Sequence, residues 1–275
     1  MSEPTCVFRR DGERRYVPTE QARGPWDPQA LHGGAPAALI TSAFESIEPG
    51  AELRMARLGF EFLRPIPMAP LRLSTSVVRG GRRVQELAAE LHAEPEDGGE
   101  PVLVCRASGL RLAEVPEGLP TLPEDAAQGP VDRPMVDFDV AEPRRFGLDS
   151  TDSVSFAASA MEMRWEGDPW RLGPGRVWQR LGIDLVEGEP LTPLARLAAS
   201  ADFGNGVSAS LPFDGYLFIN ADLHVHLHRA PRGEWIGLDS RTLLSAGGAG
   251  LSESVLHDRD GAVGRAFQSL VVGRR

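Results

Sequence analysis

The sequence predicts an α+β protein in which one unit, a helix followed by a long antiparallel sheet, occurs twice. Three observations predict it. An Ala- and Leu-rich segment with helical character, residues 31–47, is followed by strand-like runs joined by short turns. The same order returns in the last 130 residues or so of the 275. Between the two lies a stretch, 116–143, rich in Pro, Asp and Glu and without periodicity. The expected division is an N-terminal unit at 1–115, a linker at 116–145 and a C-terminal unit at 146–275. Each unit falls within ordinary domain size.

Taken in order, LHGGAPAALITSAFESI at 31–47 reads as a helix opened by glycines and stopped at Glu48-Pro49-Gly50. Strands are expected at 57–63 and 71–79, then, after a Gly80-Gly81 hairpin turn, at 84–92. A turn around Asp97-Gly98-Gly99 leads to a strand at 102–112. In the second unit, strand-like 156–165 and 175–181 precede a helix at 192–203, TPLARLAASADF. Strands follow at 216–229, 234–244 and 251–257, and an Asp260-Gly261 turn precedes the last, at 262–272. Landmarks repeat as well. Leu63-Arg64-Pro65 answers His228-Arg229-Ala230-Pro231, and an Asp-Gly turn comes before the final strand of each half. A degenerate duplication is the economical explanation.

Composition excludes several functions. A net charge of −10 argues against nucleic acid, whose phosphates need a basic face. All 29 basic residues are arginine, so Schiff-base chemistry and a Walker-type phosphate lysine are ruled out. No apolar run approaches membrane-spanning length, and the N-terminus lacks the apolar core of a signal peptide. With Cys6 and Cys105 alone there is no disulfide framework, and the expected compartment is the reducing cytoplasm. Gly247-Gly248-Ala249-Gly250 lacks the strand–loop–helix setting of a dinucleotide site, and no cofactor is expected.

Residues 219–229, INADLHVHLHR, place Asn220, Asp222, His224, His226 and His228 on one side of a regular strand. Alternate side chains on a strand are spread by roughly 6.6 Å, too far apart for three histidines to share one ion without strain. No metal is expected, and these histidines are read as an interface or a wet face. Asn220, at the strand's start, turns toward the interior only if a bulge breaks the alternation.

One helix followed by four or five long strands suggests a sheet wrapped around a helix, the hotdog architecture, here doubled. Trp26 with His32-Gly33-Gly34-Ala35-Pro36-Ala37-Ala38 resembles the opening of the first helix in acyl-CoA thioesterase II-like, double-hotdog proteins. Ala201-Asp202-Phe203, Phe218-Ile219-Asn220-Ala221-Asp222, His226-Leu227-His228-Arg229 and Phe267-Gln268-Ser269-Leu270-Val271-Val272 resemble the second half of that family. The resemblance implies a hydrolase for acyl-CoA or acyl-carrier thioesters, in which Asp202, Asn220 and Gln268 hold the attacking water. Asn220 stands where the family more often has Thr, which keeps a hydrogen-bonding group and changes its reach. Such chemistry needs an oriented water, a general base and a stabilised oxyanion, and no covalent intermediate. Gly33 and Gly34, with His32 beside them, are the expected substrate-binding residues, since backbone N–H groups at a helix start suit an oxyanion. The half-one counterpart of Gln268 falls near Ser108. Self-association into a homodimer or higher homo-oligomer is expected, because hotdog sheets leave edges and faces to pair.

Two rivals stand beside this reading. Asp27 and His32 have the five-residue spacing of hotdog enoyl-CoA hydratases, although the Asn-Pro that precedes the histidine there is absent. A non-catalytic acyl-binding protein with the same fold is the other.

Overall fold

The structure, a computed structural model, describes residues 5–48, 52–95, 98–115, 134–144 and 154–275. Its strands join in one sheet of 15, which runs through both halves of the chain. The N-terminal half contributes β1 (Cys6–Arg10), β2 (Arg15–Pro18), helix α1 (Gly34–Glu45), β3 (Leu53–Phe62), β4 (Leu71–Arg79), β5 (Val84–Ala93) and β6 (Val102–Ala113). The C-terminal half contributes β7 (Glu142–Pro143), β8 (Met161–Trp165), β9 (Gly175–Leu181), β10 (Asp184–Val186), α2 (Pro193–Ala201), α3 (Gly204–Val207), β11 (Tyr216–Asn220), β12 (Asp222–Leu227), β13 (Ile236–Leu244), β14 (Ala249–Asp258) and β15 (Gly261–Arg274). Spatial order is β10-β1-β2-β4-β5-β6-β3-β12-β15-β14-β13-β9-β8-β7, with β11 also paired to β15.

The two halves join where β3 meets β12 in antiparallel register, His224 opposite Gly59 and Val225 opposite Leu58. A Cβ on Gly59 would lie 3.1 Å from the His224 ring nitrogen, so that ring lies over the glycine. Of the three histidines here, His224 in β12 is half-buried at the junction, while His226 in β12 and His228 just past its end are exposed. Among the described residues, no three His, Cys, Asp or Glu side chains gather in a metal-ligating group, and no helix is long and apolar enough to cross a membrane.

Strand alternation sorts the side chains. On β5, Gln85, Leu87, Ala89 and Leu91 turn inward, and on β6 so do Cys105, Ala107, Gly109 and Arg111. The inward residues meet α1 and α2 in a single core that includes Leu39, Ile40, Phe44, Leu58, Leu197 and Val225. Burying each large apolar side chain contributes roughly 1.5–3 kcal/mol. The helices pack on each other, and their ends are tied. Thr192 caps α2 by accepting from the Ala195 N–H at 3.1 Å, and its hydroxyl donates to Glu45 at the end of α1, 2.5 Å away. Burial pushes the Glu45 carboxyl up, while the Thr192 hydroxyl and Arg111 pull it the other way.

Two departures from the sequence reading have physical causes. Residues 156–165 are strand only in their second half, because Ser155 accepts from the Ala158 N–H and winds Phe156–Ala160 into a wide helical turn. Residues 216–229 break at Ala221 into β11 and β12. The linker expected at 116–145 lies mostly outside the described residues. Its end, 134–144, lies against the sheet, with the Trp178 indole N–H donating to Val136 O at 2.9 Å and the Phe138 ring 4.9 Å from that of Trp235. Ser108, the position near which the sequence places the counterpart of Gln268, faces the outer side of β6 beside His224, and inward-facing Arg111 donates to Phe44 O and Ile47 O at the end of α1.

Candidate active site

The C-terminus of α2 and the N-terminus of α1 meet in the core, and Asp202 sits at the meeting point as the C-cap of α2. Its residue is 3% exposed. A carboxylate so far from water needs hydrogen-bond donors, and three elements supply them. The Asn220 Nδ2 amide donates to Asp202 Oδ1 at 2.7 Å. Gln268, 1% exposed on β15, donates through Nε2 to Asp202 O at 3.0 Å and lies 3.4 Å from Oδ1. His32 Nδ1 lies 3.0 Å from Oδ2. Gly33, the N-cap of α1, leaves the carboxylate room: a Cβ there would be 2.8 Å from Oδ2.

Asn220 arrives by a bulge. Asn220 pairs with Leu270 and His224 with Phe267, so the β11–β12 side carries one residue more than β15 between these pairs. The extra residue reverses the alternation at Ala221. Asn220 therefore points in with Phe218, while Asp222 points out and accepts from Ser269 N at 2.6 Å. Gln268 is locked on its other side too, since Oε1 accepts from the Asn205 N–H at 3.0 Å. Asn205 in turn donates to Phe218 O at 3.0 Å and so ties the short helix α3 to β11. Sequence reasoning missed this residue, although Gly204-Asn205-Gly206 directly after Asp202-Phe203 marks a tight turn beside the carboxylate. Gly204 leaves the space that Gln268 fills: a Cβ would fall 2.9 Å from Oε1.

The residues expected to hold water and those expected to bind substrate are thus adjacent, although Asp202, Asn220 and Gln268 come from one half and His32, Gly33 and Gly34 from the other. Asp27 is elsewhere in its chemistry. It is exposed, its carboxylate accepts from Gln29 N at 2.8 Å in a local turn, and the carboxylate beside His32 is that of Asp202. The Asp27–His32 pairing of the hydratase reading is not formed. A cleft of about 570 Å³ opens at a distance from this cluster, between the β1–β2 turn and β4, where Arg15 in its wall is paired with Glu94 at 2.7 Å.

Comparison with known proteins agrees with this architecture. A family profile described as the acyl-CoA thioesterase N-terminal domain matches residues 22–111, and one described as the acyl-CoA thioesterase C-terminal domain matches 116–272. A search of curated proteins finds no match. Among solved structures, a candidate thioesterase of Novosphingobium aromaticivorans superposes with a TM-score of 0.69 at 25% identity, covering 96% of this chain and 98% of that one. A thioesterase II candidate of Thermobifida fusca gives 0.69 at 18% identity, with 98% and 96% covered. The acyl-CoA thioesterase II TesB2 of Mycobacterium marinum gives 0.61 at 15%, with 98% and 96% covered. With its two halves matched in order and the doubled hotdog sheet in place, the chain belongs to the acyl-CoA thioesterase family and is a thioester hydrolase.

Proposed function

We propose that Asp202 is the general base that activates water against the thioester carbonyl, with Asn220 and Gln268 orienting that water and the base. The observation that carries the reading is the convergence on one buried carboxylate of two neutral amides, at 2.7 Å from Asn220 and 3.4 Å from Gln268. Neutral donors orient a carboxylate without occupying it as an arginine fork would, so an oxygen remains able to take a proton. Water loses a proton to Asp202 as its oxygen bonds to the carbonyl carbon. The tetrahedral intermediate then collapses, the C–S bond breaks, and the thiolate leaves with that proton as the free thiol. The start of α1 supports the developing oxyanion, because the N-terminal end of a helix carries positive partial charge, here in a site with little water to screen it. The acyl group is carried by coenzyme A or by an acyl carrier protein, and the chain acts as a cytoplasmic homo-oligomer.

The test is release of thiol from a series of acyl-CoAs, run beside crotonyl-CoA followed at its enoyl absorbance. Asp202→Asn is expected to lower turnover about 100- to 10,000-fold, with no enoyl loss in any variant. Gln268→Ala is expected to lower turnover about 10- to 100-fold. It also strands the Asp202 carbonyl and the Asn205 N–H, at a cost of about 1–3 kcal/mol. Undiminished turnover in folded Asp202→Asn sinks the reading. Acyl-CoA binding without thiol release by the wild type would favour an acyl-binding protein instead.

A further inference from the structure

His32 stands closer to the carboxylate than a substrate-binding residue needs to. Its backbone is pinned on both sides: its N–H donates to Ala22 O at 2.9 Å, and its O accepts from the Ala35 N–H at 3.0 Å. Its ring packs against Phe203, with centroids 4.3 Å apart and planes at 27°, and against Phe156 at 5.1 Å. So held, Nδ1 lies 3.0 Å from Asp202 Oδ2 and 3.1 Å from Gly34 N.

These two contacts compete for one atom. An Nδ1 that carries a proton donates to Asp202 and gives the Gly34 N–H nothing to bond. An Nδ1 that carries a lone pair accepts from Gly34 and then faces a second set of lone pairs on Oδ2 at 3.0 Å. With Asp202 ionised, as its role as base requires, the favourable arrangement puts the proton on Nδ1. Oδ2 then accepts from His32 while Oδ1 accepts from Asn220 and Gln268, so both ends of the carboxylate are held, and the lone pair that remains for water is the second one on Oδ2.

We infer that His32 is a positioning residue: its Nδ1–H fixes the reactive orientation of Asp202. The inference rests on the reading of Asp202 as base. The proton stays on His32 throughout, so the residue transfers nothing to or from the substrate. It also explains why the site draws on both halves of the chain, since this donor is the first half's contribution to a base that belongs to the second.

The rival role for His32 is packing, as an aromatic plate against two phenylalanines. Three substitutions separate the roles. His32→Phe keeps the aromatic plate and removes the donor; His32→Asn loses the plate and keeps an amide near the Nδ1 position; His32→Gln moves the amide toward the Nε2 position. Each is assayed in the full chain for thiol release, with kcat and KM resolved, on whichever acyl-CoA from acetyl to palmitoyl the wild type cleaves fastest. His32→Phe is expected to lower kcat about 100-fold with KM changed less than about threefold, and His32→Asn to recover at least about tenfold of that loss. In the Asp202→Asn background His32→Phe is expected to have no further effect. A His32→Phe enzyme within about twofold of wild-type kcat overturns the inference, as does an Asn variant no faster than the Phe variant. If the Phe variant does not fold, the amides decide: Asn faster than Gln supports positioning through Nδ1, and equality overturns it. An inactive Asp202→Asn beside a fully active His32→Phe removes only the role of His32; an active Asp202→Asn removes the base itself.

Discussion

A methyl group added at Gly33 would sit 2.8 Å from Asp202 Oδ2 and 3.0 Å from Oδ1, so alanine there must push the carboxylate away from its amide partners. Gly33→Ala is therefore expected to lower kcat about 10- to 100-fold, because a carboxylate moved by a few tenths of an ångström loses its aim on the carbonyl. Kinetics with resolved kcat and KM check this, and an alanine enzyme with wild-type kcat would place the reacting water elsewhere. At this scale residue type was legible where position was not. A glutamine inside an apolar strand must find partners, and Gln268 found Asp202 O and Asn205 N. The conditional reading of Asn220 also held, since the bulge at Ala221 supplies the turn inward. The partner of His32 was not legible. Spacing offered Asp27, five residues away, whereas the fold supplies Asp202, and no local pattern encodes a contact between residues 170 apart in the chain.

At the scale of elements, the β14–β15 turn carries a second buried carboxylate with a different task. Asp258 accepts from Arg229 through both oxygens at 2.6 Å, and from the N–H groups of Arg232 and Asp260 at 2.9 Å, tying the 229–232 loop to the turn. Burial pushes its carboxyl up, but the Arg229 guanidinium and the two N–H groups outweigh this and hold it below the usual range. A carboxyl depressed in the folded state stabilises the fold above its unfolded value, about pH 4, and that stability is lost as pH falls through the folded value. Asp258→Asn is expected to cost about 3 kcal/mol at pH 7 and to flatten the loss of stability below about pH 4. Urea unfolding at pH 7 and pH 3 measures both; equal acid sensitivity in the two proteins would contradict the account.

Elements were legible where periodicity was strong, as in β4 and β9, whose bounds agree with the sequence reading. They were illegible where side chains bond their own backbone, as at Ser155, and where a strand is short and charged, as in β1 with its two arginines. The strand β1 forms because the sheet offers it an edge: Cys6 pairs with Asp184 of β10, in the other half of the chain.

On the scale of the whole molecule, the duplication was legible because each half repeats helix, strands and turn in the same order. What no repeat could reveal is how the copies diverged at matching places. Where α2 ends, Gln268 and Asn220 converge on a carboxylate. Where α1 ends, Arg111 closes the gap by donating to Phe44 O at 2.5 Å and to Gln85 Oε1 at 2.9 Å. One helix junction carries the candidate chemistry and the other is fastened shut by a guanidinium. Nor did the repeat disclose that the halves share one sheet through β3 and β12. That continuity holds α1 and α2 side by side and antiparallel, which puts Gly33 against Asp202.

The account centres on a water activated by Asp202, with no acyl group ever attached to the protein. A single turnover with enzyme in excess over acyl-CoA, in water enriched in the heavy oxygen isotope, tests this directly by mass spectrometry of both products. The expected result is one solvent oxygen in every released carboxylic acid and none in the peptide that contains Asp202. Heavy oxygen on Asp202, with unlabelled acid released in that first turnover, would mean that the carboxylate attacks the carbonyl itself, and would contradict the account.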